Sequence, residues 1–262
     1  MIRLIVSDID GTLIPYGKKG LPDRLFPLVR RLRERGILFG PASGRQFHSL
    51  HTLFAPVADE MCFLCENGSV LFGPGSEETA EVLAKSVVPH ERAMALSHDI
   101  LDRADSDVMM SGQNTVYLCR CGQAFVDRMR NHTGNNVSVV DAPEDVPEDI
   151  IKISAYCVDG PADAIEALGP RWGGEFTMSE AGPQWLDFTL ANKGTGIEGL
   201  CRALDIPLAD TAAFGDNWND LSMLKKVGVP ILMDTAPEEL RRRFPHQCAD
   251  VCDELERILA QL

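Results

Sequence analysis

The chain has 262 residues, 45% of them hydrophobic and 24% charged, with a formal net charge of −14. That is ordinary globular composition at a length suited to one large domain or two modest ones, and no apolar run approaches the ~18 residues of a membrane span. The negative charge argues against a nucleic-acid or anionic-membrane binder; the N-terminal "MIRLIVSD" lacks the apolar stretch and cleavage site of a secretory signal, so a cytoplasmic protein is expected.

In chain order, Ile2–Val6 is a short apolar run rich in β-branched residues and predicts a strand. Pro22 and Asp23 suit a helix start. Leu25, Val29 and Leu32 follow at i, i+4, i+7, with Arg30, Arg31, Arg33 and Arg35 on the other faces, and Gly36 suits the end. Ile37–Pro41 predicts a second strand ending at "ASGR", and Met61–Cys65 a third ending at "ENGS". Strands separated by helix-length segments predict a doubly wound, mostly parallel α/β sheet.

The middle of the chain reads differently. Helix-like stretches near 90–104, 122–132 and 161–169 alternate with strand-like "NTVYLC", "IIKISAYCV" and "GGEFTMSEA". This predicts an inserted α+β domain over 83–185, between core segments 1–82 and 186–262, with junctions near Gly73–Thr79 and Gly182–Pro183. The parallel-sheet grammar then resumes. "GTGIEGLCRAL" is a helix with Ile197, Leu200, Ala203 and Leu204 on one side, and "TAAFGD" a strand with an acidic end. "NDLSMLKKVG" is a helix with Leu221, Leu224 and Val227 inside, and "VPILM" another strand. "VCDELERILAQL" is a terminal helix with a stripe of Leu255, Ile258, Leu259 and Leu262.

Cys62 and Cys65 form a C-x-x-C, but inside the apolar run "MCFLC" and without a second pair at zinc-site spacing. Reduced, buried thiols are the simpler reading of the eight cysteines.

The strand ends carry the chemistry. In an open parallel sheet, ligands bind beyond the C-terminal ends of the strands. Here those ends are Asp8 and Asp10 in "VSDIDGTL", Ser43, Glu66–Asn67 and Asp216. Two carboxylates about 4 Å apart repel by about 4 kcal/mol at an effective dielectric of about 20. A shared proton or a hard cation relieves this, and a third acid, Asp216, makes an oxygen-rich site suited to Mg²⁺. A phosphate drawn to such a cation meets Asp8 as a nucleophile, with Asp10 two positions on as acid and base. Gly11 lets the backbone bend close to the ligand.

"DIDGTL", "ASGR", Lys193 in "NKGTGI" and "GDNWND" occur in the order of the four motifs of the haloacid dehalogenase superfamily, which the sequence resembles. The insert after the third core strand, together with "ENGS", resembles the Cof-like subgroup with a type IIB cap. The resemblance implies a haloacid dehalogenase-like core with an α/β cap and a Mg²⁺-dependent phosphatase acting on small phosphate esters such as sugar phosphates. It implies Asp8 as nucleophile and metal ligand, and Asp10 as acid/base with its carbonyl on the metal. Ser43 and Gly44 contact the phosphoryl oxygens, Lys193 neutralises the phosphate, and Asp216 binds the metal. Asn219 and Asp220 complete the surroundings, Asp220 by holding Lys193 or a metal water, and Asn67 lies near substrate. One stretch departs from the pattern: Asp234–Ala236, "DTA", stands where the subgroup has "GNA", which alters the rim.

Each residue also has a plainer reading. Ser43 or Asn219 can cap a helix, Asp220 can complement a helix dipole, and Asn67–Gly68 is a common turn pair. Trp218 suits packing at the rim, and Arg241–Arg243 a solvated helix face. Rival functions are phosphomutase-type transfer to a sugar hydroxyl and a non-catalytic phosphometabolite-binding regulator. The partner is expected to be a small phosphate ester, and the chain a monomer or homodimer.

Overall fold

The architecture is that of a computed structural model describing residues 1–131 and 133–261. Its first strand, β1 (Leu4–Ser7), is fully buried along its length, as a central strand covered on both faces must be. Helix α1 (Leu25–Glu34) buries Leu25, Leu28, Val29 and Leu32 and leaves its arginines outward. Then come β2 (Leu38–Pro41), α2 (Phe47–Leu53), β3 (Phe63–Cys65), β4 (Val70–Phe72) and β5 (Val82–Lys85). The middle of the chain supplies α3 (His90–Leu101), β6 (Ser106–Ser111), β7 (Val116–Cys119), α4 (Gln123–Asn131), β8 (Val137–Val140), β9 (Lys152–Cys157), α5 (Ala162–Trp172), β10 (Thr177–Glu180) and β11 (Trp185–Thr189). The last part supplies α6 (Lys193–Ala203), β12 (Thr211–Gly215), α7 (Leu221–Leu224), β13 (Val229–Met233), α8 (Glu238–Arg241), β14 (Gln247–Cys248) and α9 (Val251–Ala260).

The chain divides into two compact units. The first comprises Met1–Ser43, Leu50–Ala84 and Asn192–Leu262; the second comprises Lys85–Ala191 with Gly44–Ser49. In the first, five parallel strands run in the order β14-β13-β12-β1-β2. An isolated parallel bridge, Ala42–Leu64, sets β3 beside the end of β2. Strand order reverses at β1, since β2 lies on one side and β12 on the other, which is the topological switch point of an α/β sheet. The register puts Ser7 level with Phe214 and Pro41. Asp8, Asp216 and Ser43 therefore leave the sheet at the same edge. Leu4, Val6, Ala42, Leu64, Ile197, Leu200, Met223 and Leu224 pack this layer together. Each large apolar side chain buried there contributes about 1.5–3 kcal/mol.

The second unit is a six-stranded sheet, β10-β11-β9-β6-β7-β8, antiparallel except for the β7–β8 pair. Its core joins α3 and α5 to the sheet through residues such as Leu96, Ile100, Ile153, Leu168, Trp172 and Phe188.

Several local expectations are corrected. The units part at Ala84/Lys85 and Ala191/Asn192, not at 82/83 and 185/186. Trp185–Thr189 pairs with β9 over five residues, which carries 186–191 into the second unit. The predicted helix in "NDLSMLKKVG" is reduced to a single turn at Trp218–Asp220 followed by four residues of α7; Leu224 and Val227 are buried as expected, Leu221 is half-buried, and Met223 is buried as well. Ala203 is exposed and Cys201 takes the inward position on α6. In α9, Leu255, Ile258 and Leu259 are buried, and Leu262 lies outside the described residues. Among the described residues, no helix is long and apolar enough to cross a membrane.

Candidate active site

The loop after β1 is bent back on itself. Gly11 N–H donates to Ile14 O at 2.8 Å, and Ile14 N–H donates to Ile9 O at 2.8 Å. Gly11 holds φ +96°, and a Cβ there would fall 2.3 Å from Asp216 Oδ2. No side chain fits, so the bend brings bare backbone against the acid at the end of β12. Asp8, at the start of this loop, is buried, and its N–H donates to Phe214 O at 3.0 Å.

Lys193 is delivered from the other half of the chain by a capped helix start. The Asn192 side chain accepts from Gly194 N and Thr195 N at 2.9 and 3.0 Å, and Thr195 Oγ1 accepts from Asn192 N at 3.0 Å. This capping box fixes Lys193 as the first residue of α6. Its ammonium, 1% exposed, donates to Asp8 Oδ1 at 2.5 Å and to Asp220 Oδ1 at 2.6 Å. Asp220 Oδ2 accepts in turn from the backbone N–H groups of Asp216 and Asn217, at 3.0 and 3.1 Å. Asp220 is thus held on both oxygens and clamps the lysine to the β12 loop.

Asp216 is buried and accepts from Thr12 Oγ1 on Oδ1 at 3.1 Å and from the Tyr16 hydroxyl on Oδ2 at 2.7 Å. Asp8, Asp216 and Asp220 each offer a carboxylate oxygen within 4.8 Å of the others. With all three ionised, the single ammonium leaves an excess of two negative charges. Burial pushes the Asp8 carboxyl up to about 7, against the pull of Lys193, and Asp220 and Asp216 push it the same way as burial. Asp216 is raised too, mainly by burial. Burial opposes the charge on Lys193, yet Asp220 and Asp8 outweigh it and hold the ammonium above its ordinary value. A cluster of hard oxygens with two excess negative charges fits a divalent cation such as Mg²⁺.

The remaining predicted residues are placed as follows. Ser43 is buried at the end of β2; its N–H donates to Leu64 O and its carbonyl accepts from Asn67 N–H, both at 2.9 Å. Gly44 falls in the second unit, where its carbonyl accepts from Lys152 Nζ at 3.2 Å. Asn67 is half-buried with φ +56°. The Asp10 side chain is exposed, and the third acid of the buried cluster is Asp220. Asn219 is exposed in the turn Trp218–Asp220; the residue that caps this turn is Asn217, whose Oδ1 accepts from Trp218 N–H at 2.8 Å. Trp218 is 44% exposed, with the Arg243 guanidinium 5.2 Å from its ring centre. Asp234 and Thr235 are exposed in the turn after β13, while Ala236 is buried.

Tyr16 and Thr12 escaped the sequence reading. Thr12 lies inside "DIDGTL" and could have been found there. Tyr16 had no signal, because its contact depends on the fold-back at Gly11.

Residues 5–254 match the family model of the haloacid dehalogenase-like hydrolases. The 5-amino-6-(5-phospho-D-ribitylamino)uracil phosphatase YbjI of Escherichia coli K12 is 24% identical over 238 residues, covering 90% of this chain and 86% of that protein. An HMP-PP phosphatase of Escherichia fergusonii is 27% identical, covering 94% of this chain and 89% of that protein. Among solved structures, the haloacid dehalogenase subclass IIB sugar phosphatase BT4131 shares the fold with a TM-score of 0.78 at 19% identity, over 98% of each chain.

Proposed function

Because the chain belongs to the haloacid dehalogenase-like hydrolases, we propose that it hydrolyses small phosphate monoesters with Asp8 as nucleophile. The observation that carries this reading is the buried arrangement of Lys193 against Asp8 and Asp220, with Asp216 in the same cluster.

In this reading an Asp8 oxygen attacks phosphorus in line with the ester oxygen. The phosphorus–ester bond breaks, and the Asp10 carboxylic acid gives its proton to the leaving oxygen. Asp10, now a carboxylate, takes a proton from water. The water oxygen attacks the phosphorus of phospho-Asp8, the bond to Asp8 breaks, and inorganic phosphate leaves. An exposed acid suits this exchange of protons with substrate and solvent, which is where Asp10 stands. Lys193 offsets charge on the transferring group and on Asp8. Ser43 donates its hydroxyl to a phosphoryl oxygen.

Asp8 and Asp216 would hold the Mg²⁺, with the Asp10 carbonyl. When bound, the ion screens the carboxylates from one another and from the phosphate. Asp220, already satisfied on both oxygens, acts as the clamp on Lys193 and not as a ligand. The inserted unit corresponds in this reading to the type IIB cap that the sequence resembles. The names of the related phosphatases, one acting on a phosphorylated ribityl compound, support a small phosphorylated metabolite as substrate. Eight free cysteines, seven of them buried, support a reducing, cytoplasmic setting.

The test is phosphate release from a panel of phosphomonoesters with and without Mg²⁺, with Asp8→Asn alongside. Magnesium-dependent release by the wild type and none by Asp8→Asn is expected; equal release by both ends this reading.

A further inference from the structure

Three consecutive residues after β3 hold left-handed backbone: Glu66 at φ +50°, Asn67 at +56° and Gly68 at +97°. Non-glycine residues are uncommon in this region, Asn less so than Glu, and a run of three persists where its surroundings demand it. Two contacts within the first unit account for the demand. On one side, Asn67 N–H donates to Ser43 O at 2.9 Å, while Ser43 N–H donates to Leu64 O at 2.9 Å. The Ser43 backbone is thereby pinned on both sides by residues bordering the turn. On the other side, a Cβ on Gly68 would fall 2.6 Å from Asn192 O and 3.0 Å from Gly196 Cα. The same Asn192 O accepts Gly196 N–H at 2.9 Å in the first turn of α6, and Lys193 follows it directly.

We propose that the turn Glu66–Gly68 is a positioning element that spaces the Ser43 backbone from the Lys193 helix start, and that the reaction needs the backbone of Asn67, not its side chain. At Asn67 and Gly68 the turn touches the two segments through main chain: an amide on one side, a missing Cβ on the other. Ser43 and Lys193 come from segments about 150 positions apart in sequence, and the turn is a main-chain link that touches both, adding to the sheet register and the Asp220 clamp that place each one. This rests on the phosphatase reading for its kinetic consequence, but the geometry it asserts can be tested without it.

The experiment compares Asn67→Gly, Asn67→Ala and Gly68→Ala with the wild type in kcat, KM, melting temperature and amide hydrogen exchange. Glycine adopts φ +56° without strain, so Asn67→Gly keeps kcat and KM within about twofold. Asn67→Ala and Gly68→Ala, assayed below their melting temperatures, lose about tenfold or more in kcat. Exchange speeds up at the Asn67 amide in Asn67→Ala and at the Gly196 amide in Gly68→Ala, with β12 protected as before. Loss of kcat or a raised KM in Asn67→Gly equal to that in Asn67→Ala overturns the proposal, because the side chain then does the work. Wild-type kcat and exchange in Gly68→Ala overturn it as well. A purely structural role lowers the melting temperature but leaves kcat untouched below it. If the wild type releases phosphate from no ester, the phosphatase reading falls, and local exchange at Asn67 and Gly196 alone decides the turn.

Discussion

Lys193 and Asp8 lie 185 positions apart in sequence, yet the lysine ammonium donates to Asp8 Oδ1 at 2.5 Å with both side chains buried. A buried ion pair is costly to desolvate and is tolerated only when its remaining bonds are satisfied. Asp220 meets that requirement by accepting a second N–H of the ammonium and anchoring itself on two backbone amides.

Removing that anchor should be felt twice. Asp220→Ala leaves Lys193 with one partner and takes the acceptor from two backbone N–H groups, of which that of Asp216 is buried. A loss of about 3 kcal/mol is expected, read by denaturant unfolding. Activity measured below the unfolding transition should fall about a hundredfold, because Lys193 is no longer aimed at Asp8. Wild-type turnover in a folded Asp220→Ala would show that Lys193 needs no clamp.

Tyr16 gives a subtler expectation. Its hydroxyl orients Asp216 from an exposed loop position. Tyr16→Phe should cost about 1 kcal/mol or less in stability. Affinity for Mg²⁺ or Mn²⁺ should weaken by about tenfold, since groups that orient a metal ligand tune its binding. Calorimetric titration of the cation checks this, and an unchanged dissociation constant would remove Tyr16 from the site.

The Asp8 carboxyl couples cation binding to pH. Its value is raised in the folded protein from the ordinary 3.8 to about 7. In the cation-free protein its favourable contribution to folding is therefore fully present below the ordinary value, and is lost as pH rises through about 7. Cation binding has the opposite sign, because a carboxylate must be ionised to serve as ligand. Apparent affinity for Mg²⁺ should rise about tenfold from about pH 6 to about pH 8, with close to one proton released at the acid end. Titration in buffers of different ionisation enthalpy measures both, and affinity independent of pH would contradict the raised Asp8.

How much of this was legible beforehand depends on what each residue's role rests on. Asp8, Ser43 and Asp216 could be read because their position follows from strand register, and strand register follows from short apolar runs with polar ends. Lys193 and Asp220 could be typed by motif order, and of the two roles expected for Asp220 the hold on Lys193 is the one found, at 2.6 Å; the two backbone amides that anchor Asp220 could not be read, since they depend on the turn after β12. The plainer reading of Asn219 as a cap falls two residues from Asn217, which caps the turn, because small differences in position within a tight turn decide which side chain caps it and periodicity does not resolve that. The strand Trp185–Thr189 was missed because "WLDFT" has no turn signal separating it from the core segment that follows; its pairing with β9 is non-local. Tyr16 was invisible because only the bend at Gly11 returns its loop to Asp216.

The claim on which the rest turns is that Asp8 itself becomes phosphorylated. Mass spectrometry of protein quenched in acid during turnover of a phosphate ester, followed by peptide mapping, tests it most directly. A phosphoryl group on the peptide containing Asp8, absent in Asp8→Asn, is the predicted result; a label on another residue, or steady turnover by Asp8→Asn, would contradict it.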